Sequence, residues 1–266
     1  MISSTPCGVP STESAAAGPF EGPGAAAPGP AAPRAQRLLY GRRTGPRLRP
    51  ARKRLLEELL PRLAITLPAD GRLEPRTLFP RPVEGVRLEI GFGGGEHLEA
   101  QARAHPELGF IGVEPFLAGV ARLLAGIAEH GLDNIRILVD DARLLLRALP
   151  DRSIRRIDIL FPDPWPKARH HKRRIVNPAT AAELARILEP GGELRVATDD
   201  PGYGRAMLAA LLAEPGLAWT AERAADWRTP WPDRPVTRYE AKARAAGRAP
   251  LYLRFLARPQ PRSGLA

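Results

Sequence analysis

The chain has 266 residues, 44% of them hydrophobic and 26% charged, and a formal net charge of +11. This is the composition of a soluble globular protein of one large or two small domains, and no apolar run approaches the roughly 20 residues a membrane helix needs. A single cysteine, Cys7, excludes an intramolecular disulfide and a cysteine-built metal site. The N-terminus lacks a basic stretch followed by an apolar one, so a cytoplasmic protein without a secretory signal is expected.

Residues 1–33 contain eight Ala, seven Pro and five Gly and show no periodic apolar face, which predicts a disordered tail. Residues 34–54 carry nine basic side chains and no acidic one, a basic arm. Leu55, Leu56, Leu59, Leu60 and Leu63 have helical spacing, and Pro68, Asp70 and Gly71 then mark a turn. From Val86 strands alternate with helices within a domain expected to span 55–260. Strands are predicted at Val86–Ile90, Phe110–Val113, Ile135–Val139, Ile154–Phe161, Glu193–Ala197, Leu217–Thr220 and Leu251–Leu256. Helices are predicted at Glu96–Ala104, Phe116–His130 with its stop at Gly131, from the cap Asp140-Asp141 through Ala148, and at Ala179–Leu188 and Tyr203–Ala213. This alternation implies a Rossmann-like α/β fold, a mostly parallel sheet with helices on both faces.

In such sheets ligands bind beyond the carboxyl ends of the strands. The first strand ends in Gly91-Phe92-Gly93-Gly94-Gly95, a run that permits a tight turn and close approach of a ligand to the backbone. Glu96 stands where a dinucleotide fingerprint places its third glycine, which disfavours a nicotinamide enzyme, and no Gly-Lys-Ser/Thr follows to make a P-loop. Glu114 ends the second strand, where a carboxylate can accept ribose hydroxyls. Asp141, beside Ala142, follows the third strand and is placed to meet an adenine edge. Glu89 lies inside an apolar strand, where a carboxylate is costly unless something satisfies it, and a cofactor ammonium would do so. Each acid taken singly is equally well a helix cap or a surface charge. The glycine run and the three acids, four signals in order at strand ends, favour a nucleotide-like cofactor.

The fourth strand leads into Phe161-Pro162-Asp163-Pro164-Trp165-Pro166-Lys167, then Ala168–Arg174. Three alternating prolines fix φ and stiffen this loop. Asp163 can accept hydrogen bonds from the Watson–Crick edge of a guanine. Trp165 either stacks on a base or packs beneath the loop, the second being preferred. Residues 167–174 add five basic side chains without an acidic one; outside this run and the arm, acidic residues outnumber basic ones by three. Charge so localised fits a phosphate-rich partner, against the plainer reading of a solvated face. His170 and His171 are read as part of this run rather than as bases.

In these residues the chain resembles the bacterial tRNA (guanine-N7-)-methyltransferases. The matching segments are Leu88–Gly93, Gly112-Val113-Glu114, Asp141-Ala142, Phe161–Val176, Ala197-Thr198-Asp199 and Thr237-Arg238-Tyr239-Glu240, together with Tyr40–Arg43 and Leu48–Pro50 in the arm. The resemblance implies a class I methyltransferase fold, S-adenosyl-L-methionine as methyl donor with no metal, and a guanine in the tRNA variable loop as acceptor. It implies a cofactor site of Glu89, Gly91, Gly93, Glu114, Asp141 and Asp163, with Asp163 also facing the guanine as the catalytic residue. Substrate contacts are implied for Lys167, Asp199, Thr237, Arg238, Tyr239 and Glu240. The family often has Lys-Phe at Arg238-Tyr239, and Arg differs from Lys in hydrogen-bond geometry. No membrane association and no obligatory protein partner are expected. The alternatives are a small-molecule methyltransferase, which has no need of so many clustered cations, and an RNA-binding module without catalysis, which has no need of the four carboxylates.

Overall fold

The structure is a computed structural model that describes residues 45, 47–235 and 238–259. The expected tail at 1–33, residues 34–44 of the arm, and Thr237 lie outside the described residues, as does the side chain of Tyr239.

Seven strands form one sheet: β1 (Val86–Ile90), β2 (Gly109–Val113), β3 (Ile135–Leu138), β4 (Ile154–Leu160), β5 (Leu188–Thr198), β6 (Leu217–Trp219) and β7 (Leu251–Ala257). Their order is β3-β2-β1-β4-β5-β7-β6. The first five pair in parallel, and β7 runs antiparallel to both β5 and β6. Parallel strands covered on both faces are near-continuous apolar runs, and every residue of β2 is accordingly buried. The chain moves outward through β1, β2 and β3, then returns to place β4 on the other side of β1. The reversal opens a crevice at the carboxyl ends of β1 and β4, where doubly wound sheets hold ligands.

The helices in chain order are α1 (Pro50–Glu58), α2 (Leu60–Leu63), α3 (Glu96–Ala104), α4 (Leu117–His130), α5 (Ala142–Ala148), α6 (Pro178–Ile187), α7 (Pro201–Leu212), α8 (Ala225–Arg228) and α9 (Arg238–Ala245). One core cluster joins Leu88, Ile157, Leu145, Leu184 and Phe255; another joins Phe110, Leu98, Leu123 and Ile137. Gly131, at φ 61°, stops α4 as expected. Asn177 and Thr180 close a reciprocal capping box on α6.

Three features differ from the sequence expectation. Helix α1 begins at Pro50 rather than Leu55, because proline at the first helical position is preorganised and lacks only an N–H that would be unpaired there. Arg52, Lys53 and Arg54 of the arm are therefore helical. Beyond α2, the Ile65 amide donates to the Ile137 carbonyl at 2.8 Å, laying the chain on the otherwise free edge of β3. Strand β5 starts at Leu188 rather than Glu193 and takes in the Pro190–Gly192 stretch through a register shift against β4. The short helices α8 and α9, and a 3-10 helix at Ala168–Arg173, carry no apolar stripe and so gave no periodic signal.

Asn134 joins α3 to the start of β3. Its side-chain amide donates to the carbonyls of Ala102 (3.0 Å), His105 (3.3 Å) and Leu108 (3.1 Å). Replacing it by Ala strands buried carbonyls and should lower unfolding free energy by about 1–3 kcal/mol in a denaturant titration. An unchanged midpoint would show those carbonyls to be otherwise satisfied.

Candidate active site

The glycine run is a turn that only glycine adopts without strain. Gly91, Gly93 and Gly95 sit at φ 76°, 58° and 83°, all left-handed, and Gly95 is the N-cap of α3. Nothing lies within 4 Å of where a Cβ on Gly91 would point, so the turn is open on that side. Its other side is closed by α4, since a Cβ on Gly119 would stand 2.0 Å from the Gly93 carbonyl oxygen. Glu114 pins the turn. One carboxylate oxygen accepts from the Gly93 amide at 2.8 Å, the other from the Phe116 amide at 2.9 Å. Burial pushes the Glu114 carboxyl up; the two amides oppose this, and the negative charges of Asp163 and Glu89 add to it. The influence of Asp163 puts the loop after β4 within electrostatic reach of the acid after β2.

Glu89 is buried as expected, but its charge is met from within the protein. Its Oε2 lies 2.7 Å from His97 Nδ1 on the first turn of α3. Burial alone would lower the His97 pKa; the charge and hydrogen bond of Glu89, with Asp158 behind, outweigh it and hold the imidazole above its ordinary value. The cost of a buried carboxylate therefore no longer argues for a cofactor ammonium. Asp141 caps α5, accepting from the Arg143 amide at 2.9 Å and pairing with the Arg143 guanidinium at 3.2 Å. Arg143 Nη2 also donates to the carbonyls of Arg173 (3.4 Å) and Arg174 (3.3 Å), tying the ends of β3 and β4 together.

The proline loop leaves β4 through two non-glycine residues at positive φ, Phe161 at 52° and Trp165 at 45°. Such conformations cost about 1–3 kcal/mol each and persist where the surroundings enforce them. Asp163, between them, is exposed. Trp165 packs beneath the loop: the Arg173 guanidinium lies 4.9 Å over its ring and the His170 ring meets it edge-on at 6.0 Å. Arg174 is buried, donates to the Pro164 carbonyl at 2.8 Å and stacks over Tyr203. Of the five cations in this run, Arg174 and Arg173 thus prop the loop, and Lys167, Arg169 and Lys172 remain exposed. Desolvation, then the positive charges of Arg173, Arg169, Lys167 and Lys172, hold His170 below its ordinary pKa.

The connection from β6 to β7 folds back onto this edge. The Arg238 guanidinium lies against the glycine turn, 2.9 Å from where a Gly94 Cβ would stand, and bonds Glu96 at 2.5 Å; Arg122 joins Glu96 at 3.6 Å. Asp199, just past β5, accepts from Arg248 Nε at 2.7 Å. Beneath, Asp233 bridges buried Arg156 (3.1 Å) and Arg195 (2.6 Å), while its carbonyl accepts from Gln101 of α3 at 2.5 Å. Glu240 corrects an expectation. It is fully buried, bonded by Tyr252 Oη (2.7 Å), Arg244 Nη2 (2.6 Å) and Arg234, so it anchors α9 rather than meeting a substrate.

A family profile described as a putative methyltransferase matches residues 84–252. Among curated proteins, the tRNA (guanine-N(7)-)-methyltransferase of Nitrobacter hamburgensis is 53% identical over 220 residues, 83% of this chain and 86% of its own. That of Rhodospirillum rubrum is 53% identical over 236 residues, 87% and 92% of the two chains. The chain belongs to the tRNA (guanine-N(7)-)-methyltransferase family. Its seven-stranded sheet is the class I methyltransferase fold. Among solved structures, the 16S rRNA methyltransferase KamB aligns at TM-score 0.49 and 18% identity, over 66% of this chain and 89% of its own.

In this member of the family, three positioning groups had no sequence signal: His97, eight residues beyond its partner across a turn, and the Arg156–Asp233 and Arg234–Glu240 pairs, whose members meet only in the fold. Glu240→Gln removes the charge opposite Arg234, whose side chain is 2% exposed. Breaking such a pair costs about 3–5 kcal/mol, so the variant should unfold at markedly lower temperature. Unchanged melting with weaker RNA binding would return Glu240 to the substrate site.

Proposed function

We propose that this chain transfers the methyl group of S-adenosyl-L-methionine to N7 of a guanine in tRNA, with the variable loop as the segment presented. The observation that carries this reading is the juxtaposition at the switch point: a pinned, open glycine turn after β1 faces a rigid Pro162–Pro166 loop after β4. The donor fits the first element. Each Glu114 oxygen is engaged by a single amide and keeps a lone pair for a ribose hydroxyl, and the open side of Gly91 admits close approach. Asp141 keeps acceptor capacity toward an adenine edge. In this reading Glu89, Gly91, Gly93, Glu114, Asp141 and Asp163 surround the donor.

When bound, the donor supplies an electrophilic methyl on a positively charged sulfur. Guanine N7 brings its own lone pair, so no residue has to remove a proton before attack. The task left to the chain is alignment, which alone can supply an effective molarity of roughly 10⁵–10⁸ M. Asp163 is held for this by its strained, proline-locked neighbours, so its carboxylate meets the guanine N–H groups without first paying ordering entropy. The same carboxylate favours the positive charge that the ring acquires. Lys167, Arg169 and Lys172 lie just beyond it, exposed to phosphates. Asp199, Thr237, Arg238 and Tyr239 complete the acceptor side, with Arg238 linking it to the glycine turn through Glu96. The cytoplasm, where tRNA is modified, is the compartment this reading implies, and no obligatory protein partner is part of it.

Incubation of the full chain with an unmodified tRNA transcript and methyl-labelled donor, followed by nucleoside mapping, should place the label in 7-methylguanosine of the variable loop. Asp163→Asn should cut turnover about 10- to 100-fold with donor affinity changed less, the loss of a hydrogen bond to a charged group. Label at another atom, or only in small molecules, contradicts the reading; full turnover by Asp163→Asn contradicts the role of Asp163.

A further inference from the structure

A groove of about 750 Å³ opens between α8, the end of α9 and the start of β7. Three guanidinium groups converge on it: Arg228, Arg244 and Arg248. Among the described residues no carboxylate lines it. Arg228 stacks 4.5 Å over Trp227, which is half-buried against the main core and fixes the guanidinium at the rim. Arg244 and Arg248 are each tethered from behind, to Glu240 at 2.6 Å and to Asp199 at 2.7 Å. Each side chain is still 48% exposed. A guanidinium has five N–H donors, so each tether leaves donors for the groove. Arginine forks held from behind, in a groove that no described carboxylate lines, suit the oxygens of a phosphodiester.

The position of the groove matters as much as its charge. Strand β7 begins at Leu251, paired with Thr198, the last residue of β5. The groove therefore lies on the same carboxyl edge as the proline loop, on its far side from α1. Helix α1, bearing Arg52, Lys53 and Arg54, packs on α4 toward the β3 side; Lys167, Arg169 and Lys172 follow β4 in the middle; Arg228, Arg244 and Arg248 stand beside β5 and β7. With strands about 4.8 Å apart, the five steps from β3 to β7 span roughly 24 Å. A small acceptor occupies only the middle of such an edge, whereas a polyanion running from the proline loop toward β7 meets both the loop cations and the three groove arginines.

We infer that the Arg228–Arg244–Arg248 groove is a further phosphate-binding contact for the RNA substrate, extending its footprint past the target base toward the β7 side. The inference rests on the RNA substrate named in the proposed function. The test is filter binding of an unmodified tRNA transcript to the full chain across a salt series, which needs no turnover. Arg228→Gln should reduce the slope of log affinity against log salt by about 1 and raise the KM for tRNA severalfold, with donor affinity retained. Arg228→Lys, which keeps the charge, should restore the slope. Arg81→Gln makes the same change of charge beside Asp133, at the opposite edge of the sheet, and should keep the wild-type slope. A wild-type slope for Arg228→Gln, or an equal loss for Arg81→Gln, overturns the groove assignment. If the wild-type chain binds tRNA with these slopes but makes no 7-methylguanosine, the groove stands and the proposed reaction fails; a wild-type chain that does not bind tRNA overturns both.

Discussion

The Glu114 carboxylate is the contact on which the candidate site depends. By accepting from the Gly93 and Phe116 amides it fixes the glycine turn to the loop that starts α4, and so sets where β1, β2 and α4 meet. The turn cannot drift toward the helix, because the Gly93 carbonyl already sits where a Gly119 side chain would be. A buried carboxylate with two backbone donors is satisfied without being saturated, which suits the proposed role of accepting ribose hydroxyls.

A second set of charges carries that order across the switch point. Helix α3 starts at the turn, and three of its side chains reach outward: Glu96 to Arg238, His97 to Glu89, and Gln101 to Arg156 and the Asp233 carbonyl. The β6–β7 connection thus docks on the helix that begins at the glycine turn. Its own anchor is the buried Glu240, held by Arg234 and Tyr252 from within and by Arg244 from the surface. The glycine turn and the β6–β7 connection are therefore parts of one hydrogen-bonded body.

The parallel strands and their helices were legible because each is a short apolar run or an amphipathic stripe bounded by Gly, Pro or Asp. The glycine turn, Glu114 and the proline loop were legible because strand ends in such a sheet are where ligands sit. What was not legible is held by ion pairs rather than by apolar periodicity. Helix α9 reads Arg-Tyr-Glu-Ala-Lys-Ala-Arg-Ala, with no stripe to find, and the motif that implies a substrate contact for Glu240 does not show its burial. A linear run of cations likewise hides which members turn inward: Arg174 props Pro164, Arg173 covers Trp165, and only their neighbours face outward. That Glu89 is satisfied inside the protein was not legible either, because His97 meets it from the next helix.

Equilibrium binding of S-adenosyl-L-methionine against pH decides whether the pinned turn and Glu114 form the donor site. Hydroxyl donors need the ionised carboxylate, and burial raises the pH at which Glu114 takes up a proton. Affinity should therefore hold near neutrality and fall on acidification, beginning above the ordinary glutamate range. In Glu114→Gln it should be weakened about 10- to 100-fold at neutral pH and lose that dependence. Wild-type affinity and an unchanged pH profile in Glu114→Gln would place the donor elsewhere and contradict the account.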